Sequence, residues 1–148
     1  MNEPEDIYNL RRFVKAQDGV YPEVLAELRA GQKRSHWMWF IFPQIRGLGQ
    51  SDMARRFAIS GRPEAEAYLG HDVLGARLMQ CTRIVAGLAG RNAQQIFGYP
   101  DDLKFRSSMT LFMCATRGNR IFRDALEKYF GGKPDVLTLE ILRREDEK

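Results

Sequence analysis

From Asp72 to Leu88 the chain reads Asp-Val-Leu-Gly-Ala-Arg-Leu-Met-Gln-Cys-Thr-Arg-Ile-Val-Ala-Gly-Leu. Leu74, Leu78, Cys81, Val85 and Leu88 recur every three or four positions, the spacing that lays an apolar stripe along one face of an α-helix. Asp72 is placed to cap its start, and Gly90 and Asn92 to break it. The same spacing recurs on both sides. Upstream, Ile7, Leu10, Phe13, Val14 and Gln17 form one face, with Glu5 and Asp6 in the first turn. Pro22 then suits a first helical position for Val24, Leu25 and Leu28, and Gly31 is the stop. Ser35 is read as the cap of a helix from His36 to Phe42, which ends before Pro43. Ser51 opens a short helix to about Ile59, and Glu64 to Leu69 form another. Downstream, a turn of helix runs through Ile96 and Phe97 to Gly98. Helices then follow from Pro100 and Asp101 to Gly118, from Asn119 to Gly131-Gly132, and from Asp135 to about Arg143. Strand alternation with hairpin turn pairs is missing. The expectation is an all-α protein: one compact multi-helix domain over residues 1–148, of about eight to nine helices of mixed length, with a frayed polar tail from Arg144 to Lys148.

Size and composition agree with one core. The chain has 148 residues, 44% hydrophobic and 28% charged, which is ordinary globular composition and excludes a disordered tail protein. The longest apolar run, Trp37 to Phe42, is far too short for a membrane-spanning helix. The first thirty residues carry no apolar secretory segment. The expected setting is soluble and cytoplasmic. Cys81 and Cys114 lie in apolar helical stretches, as free thiols commonly do, and with His36 and His71 they do not make zinc-ligand spacing. No metal and no cofactor is indicated. The net charge is +4, and seventeen of the 23 basic residues are arginine, the better bidentate partner for carboxylate or phosphate. The arginines are scattered, and no recognition-helix turn or RNA-binding signature accompanies them, so nucleic acid is not an expected partner. The oligomeric state is left open.

The segment Lys33-Arg34-Ser35-His36-Trp37-Met38-Trp39-Phe40-Ile41-Phe42-Pro43-Gln44 holds both tryptophans and one of the two histidines. With Gly47-Leu48-Gly49-Gln50-Ser51 it closely resembles the signature of a bacterial family, the domain of unknown function numbered 1810, some of whose members carry the label calpastatin. The resemblance continues through Ala65-Glu66-Ala67-Tyr68-Leu69, His71, Val73-Leu74-Gly75, Arg77-Leu78, Ile96-Phe97-Gly98 and Asp101-Asp102-Leu103-Lys104. It closes with Ser107-Ser108-Met109-Thr110-Leu111-Phe112 and Phe130-Gly131-Gly132. It thus spans about Leu10 to Leu142. Asp72 departs from the proline usual after the histidine. The resemblance implies a single mainly helical domain and brings no established activity.

Three stretches carry candidate chemistry. On a helix, Trp37, Phe40 and Ile41 share one face, a pattern typical of a core; yet Lys33, Ser35 and His36 at the helix start could meet an anion beside an aromatic wall of Trp37 or Trp39. Gln44 to Ser51, with two glycines and Arg46, could cradle a phosphate, although it is no P-loop; the plain alternative is a turn with a serine cap. Lys104, Ser107 and Ser108 share a helical face and could line a polar pocket, or the serines could bond back to their own helix. No triad, paired carboxylates or metal cluster assembles.

The expected function is a pocket for a small anionic, nucleotide-like ligand where the Ser35–Gln44 segment meets the Lys104–Ser108 face. Lys33, Lys104 and Arg46 would neutralise charge. His36, Gln44, Ser107 and Ser108 would hydrogen-bond, and Trp37 or Trp39 would stack. If there is catalysis, His36 and Lys104 are its candidates, His36 because its ordinary pKa lies near neutrality. Analogy of size and class to a small helical family processing ADP-ribose derivatives extends this to hydrolysis of nucleotide derivatives. The alternative is a protein-interaction module without catalytic activity.

Overall fold

The computed structural model describes residues 5–147, and among them the chain forms ten α-helices. They are α1 (Arg11–Asp18), α2 (Tyr21–Arg29), α3 (Met38–Ile41), α4 (Asp52–Arg56), α5 (Arg62–Gly70), α6 (Asp72–Gly87), α7 (Ala93–Phe97), α8 (Asp101–Ala115), α9 (Ile121–Phe130) and α10 (Val136–Asp146). The count is close to the expected eight to nine, and each helix falls on a stretch read as helical in the sequence. α3, α4 and α7 are single turns, held by packing rather than propensity. Among the described residues none lies in a strand, and none of the helices is long and apolar enough to cross a membrane.

α8 is the hub: α5, α7, α9 and α10 pack on it, while α6 packs on α1, α2, α5 and α9. Because neighbours surround α8, its buried positions, Phe105 and Ser107 to Phe112 among them, cover nearly every side of the helix. Hydroxyls survive there by bonding back along the helix: Ser107 Oγ donates to Leu103 C=O at 3.1 Å and Thr110 Oγ to Arg106 C=O at 2.8 Å. Ser108 is fully buried, and its hydroxyl has no partner among the described residues. The core is aromatic. Phe42 meets Phe97 and Phe105 edge-on at 5.8 and 5.0 Å, and those two stack at 4.6 Å. Each such pair adds about 0.5–1.5 kcal/mol beyond area burial. This cluster pins the end of α3 between α7 and α8.

Arg12 fastens the α1–α4–α5 corner. It donates to the carbonyls of Tyr8, Asn9, Arg56 and Ala58 and pairs with Glu64 at 2.9 Å. The other Glu64 oxygen accepts from the Ser60 N–H and hydroxyl at 3.0 and 2.7 Å. The buried carboxylate is therefore fully satisfied, the condition for tolerating it.

Several boundaries differ from expectation. Ser35 caps nothing: α3 starts at Met38 with no side-chain cap, because the Ser35 hydroxyl donates to Glu27 instead. α6 is capped by His71, whose Nδ1 accepts from the Val73 and Leu74 N–H groups at 3.2 Å, and Asp72 is the first helical residue. α1 starts only at Arg11, leaving Ile7 72% exposed; Asp6 accepts from the Leu10 and Arg11 N–H groups at 2.7 and 3.0 Å. Asn119 accepts from the Ile121 N–H, one residue ahead of the N-cap position. α10 runs past Arg143 to Asp146, where Arg62 pairs with the Asp146 carboxylate at 3.0 Å. Lys148 lies outside the described residues. Ser51 and Asp135 cap as expected, accepting from Ala54 and Thr138 N–H groups.

Candidate ligand-binding site

The tryptophan segment hangs on a carboxylate from the preceding helix. Glu27 Oε1 accepts from the N–H groups of Arg34 and Ser35 at 2.6 and 2.9 Å and from Trp37 Nε1 at 3.0 Å, and Oε2 accepts from Ser35 Oγ at 2.7 Å. Burial pushes the Glu27 carboxyl up, but these donors outweigh it and hold it down at about 2. The chain is thereby turned so that Trp37 enters the core, 1% exposed, while Trp39 stays half-buried at the surface.

After Pro43 the chain makes a closed excursion. The Ile59 N–H donates to Gln44 C=O at 2.9 Å and the Arg46 N–H to Ile59 C=O at 2.8 Å, forming an isolated parallel bridge between Ile45 and Ile59. Everything between, including α4, is a loop pinched at its neck. Gly49 lies against Ala54, so close that an added Cβ would collide with the Ala54 methyl. This contact folds the glycine turn onto α4. Ser51 spends its hydroxyl on its own helix cap.

The pinched loop encloses a cavity of about 380 Å³, a volume within the range of small-molecule sites. Its floor includes buried Ile45 and Phe57. The polar and aromatic lining is Trp39, Gln44, Arg46, Gln50 and Arg55. Among the described residues neither guanidinium has a carboxylate within ion-pair distance, whereas Arg12, Arg62, Arg77, Arg143 and Arg144 do. The cavity thus joins an indole, two amides and two uncompensated positive charges.

Of the residues singled out in the sequence, the cavity brings together Trp39, Gln44 and Arg46. Lys104 is adjacent, its Nζ 5.4 Å from the Trp39 ring centroid, but it does not line the cavity. Its charge is shared: Asp101 pairs with Lys104 at 3.2 Å and with Lys33 at 2.9 Å, and Lys33 lies over the buried Trp37 ring at 5.1 Å. His36 is exposed on the loop before α3 and does not line this cavity. Ser35, Trp37 and Ser107 are occupied by the contacts already described. The expected convergence of His36, Gln44 and Lys104 in one hollow is therefore replaced by one of Trp39, Gln44, Arg46, Gln50 and Arg55. Sequence reasoning missed Glu27, Gln50 and Arg55. Arg55 carried a signal, since it lies one turn after the Ser51 cap; Glu27 carried none, because its partners come from the next segment.

A family profile described as Protein of unknown function (DUF1810) matches residues 7–142. The chain is similar to the crystal structure of the conserved hypothetical protein Rv1873 from Mycobacterium tuberculosis, with 55% identity and a TM-score of 0.92, covering 93% of this chain and 99% of that one. No curated protein matches the chain.

Proposed function

Since the chain belongs to the DUF1810 family of proteins of unknown function, we propose its function from the cavity alone: it binds a small anionic ligand carrying a flat ring, a nucleotide-like molecule. The observation that supports this is the presence of Trp39 with the unpaired Arg46 and Arg55 in one hollow. An indole offers a stacking face, guanidinium forks match phosphate oxygens, and the Gln44 and Gln50 amides can read ring edges. Binding is favoured over hydrolysis of nucleotide derivatives. The cavity lining contains no carboxylate, imidazole, thiol or amine, and arginine stays protonated, so the hollow offers no general base. The interaction-module alternative would rely on exposed Tyr99, Leu103, Val136 and Leu137, which lie at the starts of two helices rather than in a hollow.

The test is a thermal-shift series with AMP, ADP-ribose and inorganic phosphate. At a hundred times its dissociation constant a ligand adds about 2.7 kcal/mol, a rise of roughly 5–10 °C for a chain of this length. AMP and ADP-ribose should give that rise, phosphate a smaller one, and Arg55→Ala should abolish it. No rise with any of the three overturns the reading.

A further inference from the structure

The Trp39 cavity is not isolated. Arg46, Arg55 and Ala58 also line a second hollow of about 380 Å³, and Arg12 and Arg56 continue from that one into a third of about 630 Å³ bordered by Lys15 and Phe40. Phe57 lines both the first and the third. The three therefore meet along one path that starts at the indole and passes Arg46, Arg55, Arg56 and Lys15. Among the described residues none of these four cations is paired with a carboxylate; Arg56 lies over the Phe57 ring at 5.2 Å. The acidic side chain lining the path, Glu64, has both oxygens engaged by Arg12 and Ser60. Arg12 in turn is engaged in holding the corner together.

A mononucleotide in the Trp39 cavity would leave Arg56 and Lys15 without a counter-charge. We infer that the path binds single-stranded nucleic acid, with one base stacked on Trp39 and successive phosphates tracked by Arg46, Arg55, Arg56 and Lys15. Such binding combines a positive groove with an aromatic platform and needs no recognition helix or RNA-binding signature. It extends the reading of the cavity given above and rests on it for the base-stacking end.

The test measures fluorescence anisotropy of a labelled strand of about 12 nucleotides beside calorimetric titration with AMP and with inorganic polyphosphate. Four phosphate contacts predict a slope of log affinity against log salt of about −2.8, a loss of about fifty-fold between roughly 50 and 200 mM salt. Lys15→Ala with Arg56→Ala, both at exposed positions, should bring that slope to about −1.4 and narrow the gap between strand and AMP. Trp39→Ala should weaken the strand by about tenfold. Tighter binding of the strand than of AMP, with these changes, supports the inference. AMP binding with a strand that binds no tighter, or with a slope indifferent to Lys15 and Arg56, overturns the inference and leaves the cavity reading standing. Polyphosphate binding as tightly as the strand, with Trp39→Ala affecting neither, overturns the nucleic-acid identity. Failure of both strand and AMP overturns both readings.

Discussion

Glu27 does more for the candidate site than any residue inside it. Its carboxylate gathers two backbone N–H groups, a hydroxyl and the Trp37 indole N–H, and so fixes where Trp39 emerges two residues later. Glu27→Ala leaves that indole N–H without its acceptor, at a cost of about 1–3 kcal/mol, read as a fall in Tm of several degrees. The pH dependence has a definite sign. The folded-state pKa is depressed, so the stabilisation is in full force above the usual glutamate range. It is lost as pH falls from about 4.5 towards 2. Glu27→Gln should be less stable than wild type at neutral pH, and the gap should narrow over that acid window. A constant gap would mean that the carboxylate's charge is not what holds the segment. Nothing in the sequence marked Glu27, since an acidic residue on an exposed-looking helix face usually meets only water. Trp39, Gln44 and Arg46 were legible because aromatic and amide residues crowd one short stretch. The burial of Trp37 was legible in part, since it was read on one face with Phe40 and Ile41 and all three are buried; but α3 has only four residues and Trp37 precedes it, so packing rather than period sets where each indole points.

The short elements depend on particular contacts. His71 caps α6 with an imidazole nitrogen where a serine or aspartate is usual. His71→Ala should cost about 1 kcal/mol in thermal denaturation, and His71→Asn should recover most of it; equal loss in both would show that the nitrogen's acceptor role is unimportant. Gly75, a turn further on, has no room for a side chain, since a Cβ would run into the Leu69 carbonyl at the α5–α6 corner. Gly49 is similarly blocked by Ala54. Gly49→Ala should therefore pry the glycine turn from α4 and weaken AMP binding, with about 1–3 kcal/mol lost in stability; unchanged affinity would detach the cavity's shape from that contact. Helices with strong stripes, such as α6 and α9, were legible from spacing. Their starts were less so. Ser35 and Asp72 look like caps, but the hydroxyl found a carboxylate and the preceding imidazole found the free N–H groups first.

Taken whole, the fold packs α5, α7, α9 and α10 on α8 and α1, α2, α5 and α9 on α6, with one loop, Gln44 to Ile59, closed off at its neck by a two-bond bridge. All-helical architecture followed from the spacing of apolar residues, which is local information. The bridge did not, because it joins residues fourteen apart through backbone groups alone. The anchoring of that loop to the body runs through Arg12 and Glu64. Removing either partner of this largely buried pair should destabilise by about 3–5 kcal/mol, since the other charge is left uncompensated. Arg12→Lys should recover little, having no fork to reach four carbonyls; full recovery in chemical denaturation would contradict this role.

The two tryptophans give the most direct measurement of the cavity's purpose, because one is sealed in the core on Glu27 and the other lines the hollow. In a nitrogen-15 NMR titration with AMP, each contributes one indole signal, assigned with Trp39→Phe. The Trp39 signal should move progressively to saturation while the Trp37 signal stays in place. Two unmoved signals, or movement of Trp37 alone, would contradict a ring-binding site at this cavity.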